Sequence, residues 1–530
     1  MLLCMNIDPS TLPDTPVDLK EIICDLHGQI TDLKDVHGKE TDILLEQIRH
    51  LRAQLFGRKS DKAHSAGPQP LSLFDMPEPD PEAQQKETLE VPAHTRKKSG
   101  RKPLPEELPR VELVHDIDEA SKICGCGCEL NKIGEEVSEQ LDIIPARMQV
   151  IRHIRPKYAC RNCEGLEDSG PVVKIAPVEP TLIPKSIATS GLVAFILTGK
   201  FVDHNPFYRQ EKQFLRLGVE ISRTSMCSWA MRAASVCQPL LNLLQDTIRE
   251  SRYIAIDETT LQVLKEPGRD PTQKSYMWLF RRGDPGRAVQ IYQYHPTRSG
   301  DVAGAFIGDD YQGVVQTDGY SGYNFLDHRQ GILHIGCWAH SRRKFMDVVK
   351  AQGKNRKSGA ADKALSYIKK LYKFEREAKK KNLSFEQIYQ MRQEQVKPIL
   401  DDFKKWLNMK VTQTPAQGLL GKAVTYTLNQ WGRLVGYLED GHLQPDNNLA
   451  ENSIRPFVVG RRNWLFSGTP EGAEASALLF SLIETARTNG LEPYSYLRYI
   501  FDKLPAAVSL EDYEALLPWN AKGEINSLGA

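Results

Sequence analysis

Two apolar runs far apart in the chain each give way to acid: Tyr253-Ile254-Ala255-Ile256 stops at Asp257 and Glu258 before apolar alternation resumes with Leu261 and Val263, and Val314-Val315 leads within three residues to Asp318. Runs rich in β-branched and aromatic residues read as buried strands. A carboxylate is a group such a strand does not bury without compensation. Around them, "SYMWLFRR" (275–282), "AVQIYQYHP" (288–296) and "GILHIGCWAH" (331–340) read as further strands, residues 298–307 suit a helix, and Gly319 suits a tight turn behind Asp318. If the two acid-ended strands are neighbours, both carboxylates stand at one rim of a mixed sheet. Their mutual repulsion calls for a cation. A lone Asp at a strand end is an ordinary turn residue, but that explanation weakens for two at matching ends.

A third acid comes from "QPDNNLAENSIRPFVVGRRNWLFSG" (444–468), in which Asp446 or Asn447 caps a helix carrying Glu451. Hard ions such as Mg²⁺, or Mn²⁺ in its place, take oxygen ligands. A pair of them activates a water or a 3′ hydroxyl and stabilises the leaving oxygen of a phosphodiester.

The chain has 530 residues, too many for one core. The expected fold class is multidomain α/β with added helices: a mixed sheet flanked by helices and interrupted by a helical insertion, an N-terminal coiled-coil helix and a small zinc-binding domain. Lys plus Arg (69) nearly cancels Asp plus Glu (68), so information about partners lies in local patches. The best apolar stretch, "SGLVAFILTG" (190–199), is about half the roughly 20 residues a membrane helix needs. No signal peptide is visible, and the expectation is a cytoplasmic protein without membrane partners.

Apolar residues at 19, 23, 26, 30, 33, 44, 48, 51 and 55 keep one helical stripe, a coiled-coil pattern weakened by Gly28 and Gly38, so that residues 1–59 are expected to dimerise. Residues 60–115, rich in Pro and charge, read as a linker whose basic stretch includes Arg96, Lys97, Lys98, Arg101 and Lys102. In 116–175, "CGCGC" and "YACRNC" place Cys124, Cys126, Cys128, Cys160 and Cys163 where four thiolates close a structural Zn²⁺ site and one of the first three is spare. Within 176–250, two short helices around Gly218, the second capped by Ser222, form a helix-turn-helix pattern or an ordinary helical hairpin. The strand module spans 251–345, a helical insertion 346–440, the Glu451 helix 441–490 and a helical tail 491–530. From Arg342 to Lys381, fifteen Lys or Arg face four acids, a surface suited to a phosphate backbone or simply to solvent. Arg342, Arg343 and Lys344, with Arg461 and Arg462 beside Trp464, are the candidate DNA contacts.

The stretches "LFGRKSDK", "GEEVSEQLDIIPARMQVIRHIRPKYAC", "YIAIDET", "VVQTDGYSGYN", "GCWAHSRRKF" and "NNLAENSIRPFVVGRRNWLFSGTPEGAEASALLFSLIETARTNGLEP" make the chain resemble, nearly end to end, the insertion sequence 66 family of bacterial DDE transposases. The resemblance implies an RNase H-like catalytic domain with Asp257, Asp318 and Glu451 as the metal-binding triad. It also implies cleavage of DNA at the element's terminal repeats and joining of 3′ hydroxyls to target DNA. Work as a homodimer or larger assembly and accessory transposition proteins belong to the same expectation. Cys337 and His340 occupy a C-x2-H pair found in related transposases and are expected to support the active-site rim, or to be a satisfied core pair. "CGCGC" departs from the more usual C-x2-C. Two rival readings are a zinc-containing dimeric DNA-binding regulator without catalysis and a hydrolase of another substrate using paired carboxylates.

Overall fold

The computed structural model describes residues 15–56, 148–159, 173–283, 286–352 and 358–528. The chain divides into two units, residues 76–176 and the remainder. The whole of the linker 60–115 and all five cysteines of the expected zinc site lie outside the described residues. In the smaller unit, residues 148–156 run without sheet partners, and β1 (Lys157–Ala159) pairs antiparallel with β2 (Val173–Ile175). Among the described residues of this unit, strand pairing is confined to these two short strands.

The larger unit opens with α1 (Pro16–Phe56), 41 residues that stay helical through Gly28 and Gly38. Ile23, Ile30, Leu33, Leu44 and Ile48, all on the stripe read from the sequence, are exposed. Then come α2 (Ser190–Phe201), α3 (Phe207–Arg216), α4 (Arg223–Val236) and α5 (Gln238–Arg249). Gly218 takes φ +82° after α3, and the Ser222 hydroxyl accepts the Ser225 N–H at 3.1 Å to start α4, as the sequence suggested. Helix α4 turns Met226, Trp229, Ala230, Ala233 and Ala234 inward against its own core.

A five-stranded sheet follows: β3 (Tyr253–Gln262), β4 (Lys274–Arg282) and β5 (Gln290–His295) as a meander, α6 (Gly300–Ile307) as a crossover, then β6 (Gly313–Gln316) and β7 (Ile332–Ile335). The spatial order is β5-β4-β3-β6-β7, with β3, β4 and β5 antiparallel and β3, β6 and β7 parallel. The acid-ended strands are thus neighbours. One expectation needs correction: β3 does not stop at Asp257. Its ladder with β4 continues to Gln262, and what stops is the pairing with β6, whose last partners are Ala255 and Gln316. Asp257 and Asp318 each lie two residues past that last pair, where the sheet loses a neighbour on one side and opens a rim.

Helices α7 (Trp338–Gln352), α8 (Ala360–Lys380), α9 (Phe385–Met391), α10 (Lys397–Gln413), α11 (Leu419–Asn429) and α12 (Trp431–Val435) intervene before α13 (Asn448–Trp464). An aromatic cluster joins them: Trp338 lies 6.1 Å from Phe403 and 5.9 Å from Trp431, and Tyr367 stacks on Phe403 at 4.8 Å. Helices α14 (Pro470–Thr488), α15 (Pro493–Lys503), α16 (Leu510–Ala515) and α17 (Pro518–Leu528) complete the chain. Helix α14 closes the outer edge of the sheet. Tyr292 donates its N–H to the Ser481 hydroxyl at 2.8 Å, and Gln290 exchanges two 3.1 Å bonds with Thr485. Four residues of helix rise about 6 Å and two of strand about 6.6 Å, so hydroxyls at i and i+4 meet backbone groups at i and i+2. An edge that would otherwise invite another strand is satisfied within the chain. Among the described residues no helix is long and apolar enough to cross a membrane.

Candidate active site

Each of the three acids reaches the rim from a different element. Asp257 projects from β3 just past the last β6 pair, and its Oδ1 accepts the Glu258 N–H at 2.9 Å. Asp318 follows β6, with Oδ1 accepting the Tyr320 N–H at 2.9 Å and Oδ2 3.8 Å from the Arg298 guanidinium. Gly319 serves here by size: its φ is not positive, and a Cβ would strike the Tyr426 hydroxyl. Glu451 sits in the first turn of α13. Burial first, then the charges of Glu258, Glu451 and Asp318, push the Asp257 carboxyl well above the usual carboxylate range. The three acids, from positions spread over nearly two hundred residues, therefore bear on one another. They repel rather than knit together: among the described residues, the only three metal-type side chains with donor atoms all within 4.8 Å are Cys337, His340 and Glu451.

The α13 start is held by the sheet. Asn447 is buried and gives its side-chain N–H₂ to the Ile256 carbonyl at 2.8 Å, next to Asp257, while Asp446 Oδ1 accepts the Asn448 N–H at 3.1 Å. Of the two proposed caps, Asp446 serves the helix and Asn447 ties it to β3. Tyr292 Oη donates to the Ser453 carbonyl, and Arg281 donates to the Leu449 carbonyl at 3.2 Å and to the Ser453 hydroxyl. Gln316, wholly buried, bonds the Gly336 and Gln444 carbonyls at 3.1 and 3.0 Å, joining the β6 end to the loops that lead into α7 and α13. Behind Asp318, Thr317 Oγ1 meets His334 Nε2 at 2.8 Å, and His334 Nδ1 meets Asp327 at 2.7 Å. Burial pushes the His334 imidazole down to about 4, with the Arg433 charge adding to it.

Several participants were given no site role by the sequence. Glu258, whose side chain is only 2% exposed, pairs with Arg298 and accepts from the Tyr323 hydroxyl. Arg298 stacks on the Tyr320 ring at 3.8 Å and reaches toward both Glu258 and Asp318. Glu258 adjoins Asp257, which is a signal, but Arg298 lies forty residues away and no local pattern marks it. Arg392, 1% exposed in a π-helical turn (Arg392–Val396), spends its donors on both Glu375 oxygens (2.9 and 2.8 Å) and on the carbonyls of Tyr437, Asp440 and Leu443 (2.9, 2.8 and 2.9 Å). It pins the segment that runs into α13.

Cys337 and His340 stand beside Glu451: its Oε1 is 4.0 Å from Cys337 Sγ and 3.6 Å from His340 Nδ1, and its Oε2 is 3.7 Å from Arg343. Burial pushes the Cys337 thiol up and the His340 imidazole down. Of the candidate DNA contacts, Arg343 is the most plainly at the rim. Lys344 lies over the Tyr426 ring at 4.5 Å, and Arg342 is half-buried. Arg461 is committed to β3, donating to the Thr259 and Thr260 hydroxyls at 3.2 and 3.1 Å, whereas Arg462 is exposed.

This is a mixed, helix-rich α/β protein with an acidic rim flanked by arginines. Residues 185–475, more than half the chain, match the family described as Transposase IS66 family. Residues 121–164 match the zinc-finger binding domain of transposase IS66, 481–519 the IS66 C-terminal element, and 43–113 the family described as Transposase C of IS166 homeodomain. The chain belongs to the IS66 family of transposases. Its relatives include two uncharacterised proteins of Sinorhizobium fredii. One, y4jD, is 34% identical over 435 residues, covering 79% of this chain and 82% of the relative. The other, y4qI, is 30% identical over 452 residues, covering 82% and 81%.

Proposed function

We propose that the protein is an insertion-element transposase of the DDE type that cuts DNA at the element's ends and joins the freed 3′ hydroxyls to target DNA. The observation that supports the reading is that Asp257 and Asp318 both lie two residues past the last β3–β6 pair, while Asn447 ties the start of the Glu451 helix to the Ile256 carbonyl beside Asp257. A mixed sheet with an antiparallel meander on one side, parallel strands on the other and helices inserted before the Glu451 helix is also the order an RNase H-like core requires.

The donor set fits hard divalent ions, since three carboxylates in mutual repulsion are stabilised by added positive charge. Asp257, Asp318 and Glu451 would hold Mg²⁺ or Mn²⁺, which when bound supplies Lewis acidity toward a water or 3′ hydroxyl and toward the leaving oxygen. The chain's own residues do the positioning. Asn447 and Gln316 fix the helix and strand ends that carry Glu451 and Asp318, and Arg298 steadies Asp318. Arg343, with Arg342, Lys344 and Arg462, offers charge to phosphates near the cut. The transfer is direct and in line, without a covalent protein intermediate. The zinc-binding domain and the exposed stripe of α1 supply a structural Zn²⁺ and a dimer contact, respectively.

Substituting Asp257 or Asp318 by Ala is expected to abolish nicking of DNA bearing the element ends while binding to those ends persists. A regulator without catalysis would bind and never nick, in the unaltered protein as well. Cleavage that survives either substitution overturns the proposal.

A further inference from the structure

Glu451 faces two ways. Its Oε2 looks to Arg343, while Oε1 looks into a corner formed by Cys337 and His340, and one donor atom from each of these three residues lies within 4.8 Å of the others. At the bond lengths of zinc sites, a tetrahedral ion sets its donors about 3.3–3.6 Å apart. The observed 3.6 Å from Glu451 Oε1 to His340 Nδ1 already meets that figure, and the 4.0 Å to Cys337 Sγ needs only a small rotation of a glutamate side chain.

Two further features point to an ion. Among the described residues His340 Nδ1 is buried and has no hydrogen-bond partner, an expensive state for a ring nitrogen unless something occupies its lone pair. Cys337 Sγ receives two backbone N–H groups, from Asn447 at 3.2 Å and from His340 three residues on. A neutral thiol is a weak acceptor that gains little from two donors. A thiolate bound to a metal gains a great deal, and such N–H···S bonds are the outer support a C-x2-H turn gives its ligand.

We propose that Cys337, His340 and Glu451 form a transition-metal site, distinct from the hard-ion rim in chemistry and sharing only Glu451 with it. One sulfur, one nitrogen and one oxygen donor suit Zn²⁺ or Co²⁺ and discriminate against Mg²⁺. Three protein ligands leave the fourth position open. Binding converts the Cys337 thiol to a thiolate and releases one proton to solvent, so affinity rises with pH. The site stands on this geometry and does not rest on the transposition reading.

The test is the zinc content of the full-length chain after equilibration with Zn²⁺ and removal of loosely held metal. The unaltered protein is expected to hold one zinc per chain more than either His340→Ala or Cys337→Ser. His340 is partly exposed, so its variant keeps the measurement meaningful if the buried cysteine proves intolerant. In a background with Cys160→Ser and Cys163→Ser, which removes the other thiolate site, Co²⁺ should still give a sulfur-to-cobalt charge-transfer band that Cys337→Ser abolishes. Equal zinc content in the unaltered protein and His340→Ala, or no such band in that background, overturns the site. Neither readout involves DNA. Failure of the transposition reading would instead appear as cleavage that survives Asp257→Ala, with the zinc count unchanged.

Discussion

Arg392 offers the most quantitative test of how the Glu451 helix is held. Its guanidinium is buried, and all five of its bonds end on groups with little other recourse: the two oxygens of Glu375 and the carbonyls of Tyr437, Asp440 and Leu443. Replacing it with Met keeps the side-chain volume and removes every donor. Breaking a buried pair by deleting one partner costs about 3–5 kcal/mol, and at 1.4 kcal/mol per factor of ten this is roughly a 10²- to 10³-fold rise in the local opening constant, or somewhat more. The assay is hydrogen exchange of the amides across residues 437–447, whose rates track local opening. Arg392→Lys should fall between the two, since an ammonium has three donors and no fork to match the Glu375 carboxylate. Exchange in Arg392→Met that is no faster than in the unaltered chain would refute the clamp.

Two more perturbations follow from the same contacts. Because burial and the neighbouring carboxylates raise the Asp257 pKa in the folded protein, the contribution of its protonated carboxyl to stability is fully present below the unfolded value of about 4 and is lost as pH rises through the folded value. Asp257→Asn, measured without divalent ions, should therefore melt higher than the unaltered protein at pH 7, with the gap closing toward pH 4; a gap that ignores pH contradicts the carboxylate repulsion. Thr485→Val is nearly isosteric but strips the partner from both backbone groups of Gln290, so urea denaturation should show a loss of about 1–3 kcal/mol, and an unchanged midpoint would mean α14 does not close the sheet edge.

What could be read from the chain, and what could not, divides by sequence distance. The strands around Asp257 and Asp318 were legible because their apolar residues are contiguous and β-branched or aromatic, and the α4 cap because Ser222 acts three residues away. The end of β3 was misplaced because polar residues 257–260 look like a strand stop, whereas pairing with β4 carries them on. Glu258 and Arg298 meet across forty residues, Arg392 and Leu443 across fifty-one, and Cys337 and Glu451 across 114, and no periodicity reports such pairs. Asn447 shows a subtler limit. A helix-start asparagine reads as a cap, and only the neighbouring strand reveals that its amide is spent on Ile256. Arg461 likewise reads as a phosphate contact until Thr259 and Thr260 are seen beneath it.

Metal rescue tests the central claim most directly. With Asp318 replaced by Cys, a thiolate stands where a hard oxygen ligand is needed, and softer ions accept sulfur where Mg²⁺ does not. Nicking of DNA that carries the element ends should be lost in Mg²⁺ and return in Mn²⁺, while the unaltered protein works in both. Full activity of Asp318→Cys in Mg²⁺, or no recovery in Mn²⁺ from a folded variant that still binds the ends, would contradict a divalent ion held at this carboxylate.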